Sequence, residues 1–400
     1  MITTQWLPTL LLIFSGGVLA VLTSKITRMP LSLHLLLWGM LASYLVPIWG
    51  LDTGIRYHNF QPLILFILIP ILVFEAALNL PSKVLRPHLK TTLFSASLGV
   101  VLSATIAAAI LYFGINHPSG FPWMAALLAG VVITATDPVA VVAQLKEAKA
   151  SPSLAAQLEG ESLFNDATVI VLFSVVLGLA LEQQFSVAET IWQLVRVLAG
   201  GVLAGALLGF VAGQLLRHVD LSAGQKMLVC LLLAYGAFFI AESLLHVSGV
   251  FAVLVAALQV KKSLIDATAE GMQQAYWDLL AFIANVLVFF LMGLVVTFDM
   301  FSSQWLAMLL GILAAMLSRL IGVYFSFAAG KYVLREPVQW RNGLLLWWGG
   351  LRGVISIALV LSLPLELETW WTIQSIGFAV VLFSLTVQAL SYPWLLNKLR

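Results

Sequence analysis

ITATDPVAVVAQLKEAKASPSLAAQLEGESLFNDAT, residues 133–168, places carboxylates inside two apolar segments, at a depth where lipid disfavours charge. Asp137 stands between Thr136 and Pro138 near the middle of the apolar segment Phe121 to Leu145. Proline disfavours the helical conformation for the residue before it and lacks the N–H that would continue the ladder. A broken helix is therefore expected there, with backbone carbonyls freed around Thr134 to Thr136. Irregular backbone survives at that depth only when buried in protein or lining a wet cavity. The second arm, Leu154 to Leu181, carries Glu161, Ser162, Asn165 and Asp166 at spacings that gather them on one helical face. At 1.5 Å rise per residue, Pro138 to Leu145 spans roughly 12 Å and Leu154 to Asp166 roughly 18 Å. With a turn between the arms, Asp137 and Asp166 come to similar depth.

Working outward, the 400 residues are 61% hydrophobic and 10% charged, with a mean hydropathy of +1.03. This is the composition of an all-α polytopic membrane protein with no stretch left over for a soluble domain. About thirteen apolar segments are expected to span the membrane. The ninth, Ser248 to Val260, is short and reads as a poorly separated partner of the eighth. The first lacks a charged n-region and a small-residue cleavage site, so it reads as a retained span. A single Cys230 cannot form an internal disulfide and sits in an apolar run. The histidines His34, His58, His88, His117, His218 and His246 show no metal-ligand spacing, and no cofactor is expected.

Basic residues fall on alternate loops: Lys25 and Arg28; Lys83, Arg86 and Lys90; Lys146 and Lys149; Arg217 and Lys226; Lys261 and Lys262; Lys331, Arg335 and Arg341; Lys398 and Arg400. That side is expected to be cytoplasmic. The other loops carry Arg56 as their only basic residue beside Asp52, Glu182, Glu189, Asp299, Glu366 and Glu368. The N-terminus is thus expected outside and the C-terminus inside. Of three arginines within apolar segments, Arg196 lies near a segment start and can snorkel. Arg319 and Arg352 sit deeper and each needs a partner, for which the membrane carboxylates are the supply. Glu75, in ILIPILVFEAALNL, falls within one or two turns of the inner surface, as an interfacial residue or as part of a cation path.

Segment twelve, GLLLWWGGLRGVISIALVLSLP, has Gly349, Gly350 and Gly353 around Arg352, where helix stability is weakest. A second broken helix is expected, seven spans after the first. Seven is odd, so the two run in opposite directions. This is the pattern of an inverted-repeat secondary transporter, with six-helix repeats over segments one to six and eight to thirteen and segment seven connecting them.

IPILVFEAALNL, TATDPVAVVA, EGESLFNDA, SRLIGV and GGLRGVISIAL together resemble the monovalent cation:proton antiporters, in the NhaP-like branch that includes the eukaryotic sodium/proton exchangers. The resemblance covers nearly the whole chain and implies the NhaA/NhaP-like antiporter fold with two crossing broken helices. It implies that Asp166 binds cation and proton in alternation beside Asn165, and that Asp137, the Thr136 carbonyl and Ser162 complete the cation shell. Glu75 would contribute from the dimerisation side, and Glu161 would pair with Arg319, Arg352 being the next candidate. Arg352 itself matches the Gly-Leu-Arg-Gly motif in a structural or gating role. By the same resemblance, residues 1–90 and 227–296 form a dimerisation part of a homodimer. Residues 93–181 and 305–396 form a core transport part, and 188–216 the connecting helix. The plasma (inner) membrane is the expected location. The chain ends at Arg400, so no cytoplasmic regulatory domain is expected, and no nucleic-acid partner.

Oxygen ligands from carboxylate, hydroxyl and carbonyl suit a hard cation such as Na⁺, with Li⁺ and K⁺ as alternatives. Taking a carboxyl out of water disfavours its charged form, so proton and cation compete for one site. Two membrane aspartates could also serve an intramembrane aspartyl protease, but Asp137 follows Thr-Ala-Thr and Asp166 follows Leu-Phe-Asn, not Gly-x-Gly. A cation channel is the other rival, and no TVGYG-like filter or P-loop supports a channel or pump.

Overall fold

The computed structural model describes residues 3–27, 29–48, 63–115, 120–182, 187–264 and 270–399. Arg28, Asp52, Arg56, His58, His117 and Arg400 lie outside the described residues. The elements are α1 (Thr3–Thr27), α2 (Leu31–Ile48), α3 (Leu63–Asn79), α4 (Ser82–Gly114), α5 (Trp123–Val132), α6 (Val139–Glu147), α7 (Pro152–Glu182) and α8 (Val187–His218). They continue with α9 (Ala223–Leu244), α10 (Gly249–Leu264), α11 (Glu270–Val295), α12 (Phe298–Ser303), α13 (Trp305–Tyr332), α14 (Trp340–Trp348), α15 (Val354–Leu361) and α16 (Trp370–Leu399). Among the described residues, 8 helices are long and apolar enough to cross a membrane, and other apolar segments form shorter helices.

Four of these helices contain a π-helical turn: Leu63–Leu68 in α3, Ser95–Gly99 in α4, Ile240–Leu244 in α9 and Ser384–Gln388 in α16. The eighth and ninth apolar segments form separate helices, α9 and the shorter α10, with four residues between them. His246 takes a left-handed φ of 52° that turns the chain between α9 and α10.

Contacts divide the chain into two units. The first contains Met1–Gln61, Pro81–Val169 and Asn285–Arg400. Its helices approach through small residues. A Cβ on Gly39 would meet the backbone of Phe290 and Gly293, and one on Gly130 would meet the backbone of Ala104 and Ala108. Where α4 faces α13, Gly322 lies over Ser103, whose hydroxyl donates to the Ser318 carbonyl at 3.2 Å. Helices that surround themselves with lipid gain little from hydrophobic association, so close backbone packing and buried hydrogen bonds hold them together.

The second unit contains Pro62–Leu80 and Ile170–Ala284. Gly201, Gly205 and Gly209, four residues apart on α8, bring it against Ser248, Ala252 and Ala256 at the start and along the length of α10. The opposite side of α8 leaves Leu203, Leu207, Phe210 and Val211 exposed, a surface suited to hydrocarbon. Phe74 stacks on Trp277 with centroids 4.5 Å apart, fastening α3 to α11 within this unit.

Candidate functional site

The first break runs from Ile133 to Pro138, between α5 and α6. It sits where proline removes a donor and bends the preceding residue out of the helix. The second runs from Gly349 to Gly353, between α14 and α15. Each break answers the other's exposed backbone. The Asp137 N–H donates to the Leu351 carbonyl at 2.8 Å. Arg352 Nη1 donates to the carbonyls of Thr134 at 3.3 Å and Ala135 at 3.2 Å. Ser356 Oγ donates to the Val132 carbonyl at 3.0 Å. Carbonyls freed in the membrane interior are thereby satisfied without water.

The helix α7 supplies the remaining donors. Asn165 Nδ2 donates to the Thr134 carbonyl and to Thr136 Oγ1, both at 3.1 Å, and Ser162 Oγ donates to the Thr136 carbonyl. Asp166, one position on, accepts from the Thr136 N–H and, at 3.5 Å, from Ser162 Oγ. Its Oδ1 is buried without a hydrogen-bond partner among the described residues, as is Oδ1 of Asn165. Asp137 and Asp166 remain half-buried, whereas Thr136, Ser162, Asn165 and Arg352 are buried.

Charge follows the half-helix dipoles. Asp137 accepts from the N–H groups of Val139, at 3.0 Å, and Val354, the first residues of α6 and α15. Helix N-termini carry positive partial charge and carbonyl ends negative. Correspondingly, Arg352 holds the carbonyls just beyond α5, and Arg319 Nη2 donates to Leu346 in the last turn of α14 at 3.3 Å. Arg319 also grips Glu161 with two bonds, at 2.6 and 3.0 Å, and Ser95 Oγ donates to the same carboxylate at 2.7 Å. Arg352 differs from the sequence expectation, since its hydrogen bonds go to freed carbonyls instead of a carboxylate. A carbonyl-rich helix end is negative enough to take a guanidinium.

Within the first unit, the fold thus gathers Thr136, Asp137, Ser162, Asn165, Asp166 and Arg352 at the two breaks, with the Glu161–Arg319 pair beside them on the shared helix α7. Glu75 belongs to the second unit, where Asn79 Nδ2 donates to Glu75 at 2.5 Å and to Asp278 at 3.3 Å. Three residues outside the sequence assignment also build the site. Ser356 has been described; Ser384 Oγ accepts from the Arg352 N–H at 3.1 Å and lies 3.2 Å from the Arg352 carbonyl. The third is Gly353, on which a Cβ would overlap the Asp137 carboxylate. Its place beside Arg352 was legible only as a helix-weakening glycine. Gly353→Ala should therefore push Asp137 off the α15 N-terminus while leaving the helices assembled. The expected result is at least a tenfold rise in the half-saturating cation concentration, about 1.4 kcal/mol, in flux assays on folded protein; an unchanged value would mean that Asp137 tolerates the displacement.

Two interrupted helices that meet at buried charges, inside an apolar helical bundle, define a secondary membrane transporter. The chain belongs to the sodium/hydrogen exchanger family, whose transmembrane model matches residues 10–398. It is 33% identical over 401 residues to the Na⁺/H⁺ antiporter ApNhaP of Aphanothece halophytica, covering 99% of this chain and 74% of that protein. It is 34% identical over 358 residues to the Na⁺/H⁺ antiporter NhaP of Pseudomonas aeruginosa, covering 86% and 83%. Its fold matches that of the sodium proton antiporter MjNhaP1 from Methanocaldococcus jannaschii, with a TM-score of 0.82 at 21% identity and 99% of each chain covered.

Proposed function

We propose that this protein is a membrane antiporter that exchanges Na⁺ for H⁺ by alternating access, one for one. Asp166 carries either ion, with the Thr136 carbonyl, Ser162 and Asp137 as further oxygen ligands. The observation that carries this reading is the enclosed, unpartnered Oδ1 of Asp166 among the oxygens of a broken helix. A hard cation takes oxygen ligands, and the same carboxylate oxygen takes a proton. Glu75 completes the cation path from the dimerisation part, residues 1–90 and 227–296, through which two copies associate. Residues 93–181 and 305–396 are the moving core and 188–216 the connecting helix. The N-terminus lies outside and the C-terminus in the cytoplasm of a cell whose plasma (inner) membrane holds the protein.

The charge of the cluster supports electroneutrality. With Glu161 cancelled by Arg319, the group Asp137, Asp166 and Arg352 carries one net negative charge, which a single Na⁺ or a single proton neutralises. Charge in the membrane interior is costly, so the loaded forms cross and the empty form does not. A second exchangeable proton would need another group that ionises on cation binding. Asn165 cannot ionise, and Arg319 is held in its two-bond pair with Glu161.

The test is dye-monitored proton flux in proteoliposomes on adding NaCl, LiCl or KCl. Proton movement in response to Na⁺ is expected; its absence with all three salts would remove the antiporter reading. With both pH values clamped equal, an imposed potassium-diffusion potential should drive no sodium accumulation. Accumulation under the potential alone would refute the one-for-one count.

A further inference from the structure

Gln374 is a complete amide sealed in an apolar interior. It is 0% exposed, and neither its Nε2 nor its Oε1 has a hydrogen-bond partner among the described residues. Its direction follows from its neighbours on α16. Ile376 faces α13, because a Cβ on Gly311 would meet it. Gly377, about 100° further round the helix, faces α5 and α15, where a Cβ would meet Val132 at the end of α5 and Val360 of α15. Residues three apart share a helical face. Gln374 therefore points at α5 and α15, one turn from the level of Val132, where the first break begins. All of α15, from Val354 to Leu361, is buried and only Ser356 in it is polar. The amide is thus a polar group beside the site, on the side of the α5 and α15 half-helices, inside a closed apolar plug.

An unpartnered buried amide weakens the conformation that contains it, and an apolar group of the same shape can remove that penalty. A side chain in this condition finds its partners where water, an ion or another conformation reaches it. We propose that Gln374 is a path residue of the exchanger: when the α5 and α15 side opens, its Oε1 and Nε2 meet the passing hydrated cation, and its unmet hydrogen bonds in the closed plug favour that opening. The proposal rests on the antiporter reading above and adds a residue to it. The amide oxygen is a hard ligand of the kind Na⁺ accepts, and the paired N–H donors suit water in the cation's shell.

The substitution that tests it is Gln374→Met, close in shape and without the amide. Purified full-length protein should unfold at a higher temperature than wild type, because the closed plug loses its unmet polar group. In proteoliposomes the maximal exchange rate should fall about tenfold, which corresponds to about 1.4 kcal/mol, while the half-saturating Na⁺ concentration stays within twofold. A purely structural glutamine would give the opposite sign, with lower thermal stability. A variant that unfolds earlier than wild type, fails to fold, or exchanges at the wild-type rate overturns the proposal. Wild-type vesicles assayed in parallel separate the two readings: no proton flux there with NaCl, LiCl or KCl would overturn the antiporter reading and this assignment with it, whereas intact wild-type flux with a less stable variant overturns this assignment alone.

Discussion

Asp166→Asn should reduce cation-driven proton flux to the level of empty liposomes while the protein unfolds near the wild-type temperature. The carboxamide keeps the shape of the side chain and can still accept from the Thr136 N–H and Ser162 Oγ that hold it. What it loses, on the reading proposed above, is the negative charge that would make Na⁺ and H⁺ equivalent loads. With asparagine there, Asp137 and Arg352 already balance, so the cluster is neutral when empty. It then has no electrostatic reason to wait for an ion and no group to exchange one. Calorimetric titration should show loss of the proton release that accompanies Na⁺ binding in wild type. Near wild-type flux in the variant would transfer the exchange site to another carboxylate, with Asp137 first in line.

The second large effect concerns stability. Glu161→Ala leaves Arg319 as a buried, uncompensated cation, and loss of one partner of a buried pair costs about 3 to 5 kcal/mol. Glu161 and Arg319 are both buried, at 5% and 8% exposure, and their two-bond geometry at 2.6 and 3.0 Å concentrates the attraction. Arg319→Ala should do comparable damage, because it also strips the last turn of α14 of its donor to Leu346. The double variant should be more stable than the sum of the two losses by about 0.5 to 3 kcal/mol, the range for groups in direct contact. Strict additivity in thermal unfolding would show that each side chain acts through other neighbours, Ser95 for the glutamate and the α14 carbonyl for the arginine.

Much of this arrangement could be read from residues alone, for reasons that differ from place to place. The break at Asp137 was legible because Pro138 removes a specific hydrogen bond. The break at Arg352 was legible because Gly349, Gly350 and Gly353 cluster around it and weaken the helix in the middle of an apolar segment. The spacing of Ser162, Asn165 and Asp166 gave the polar face of α7, and the structure turns that face onto the freed carbonyls. What stayed hidden were side chains with no spacing signal. Ser356 and Ser384 look like the serines that bond back to their own helix, as Ser375 does to Trp371 and Ser391 to Val387. Nothing in a linear pattern says which hydroxyl faces a neighbouring break. The partner of Arg352 was misread for a related reason: a carbonyl freed by a broken helix has no letter in the sequence.

The π turns carry a consequence for how this chain can vary in length. Such a turn stores one surplus residue in a helix. Deleting a residue from Ser384–Gln388 would let α16 close into an unbroken α-helix, a local gain in regularity. The two halves would keep their facing, because the wider turn absorbs the surplus residue without advancing the rest of the helix. What the deletion would disturb is the widened turn itself, which now sets Ser384 Oγ 3.1 Å from the Arg352 nitrogen and Gln388 Nε2 3.1 Å from the Trp348 carbonyl. The same holds for Ser95–Gly99, where Ser95 reaches Glu161. Loss of a residue inside such a turn therefore spares the packing on either side, whereas loss of one elsewhere in the same helix turns one half against the other by about 100°, so the irregular turn is a slack point at which helix length can change.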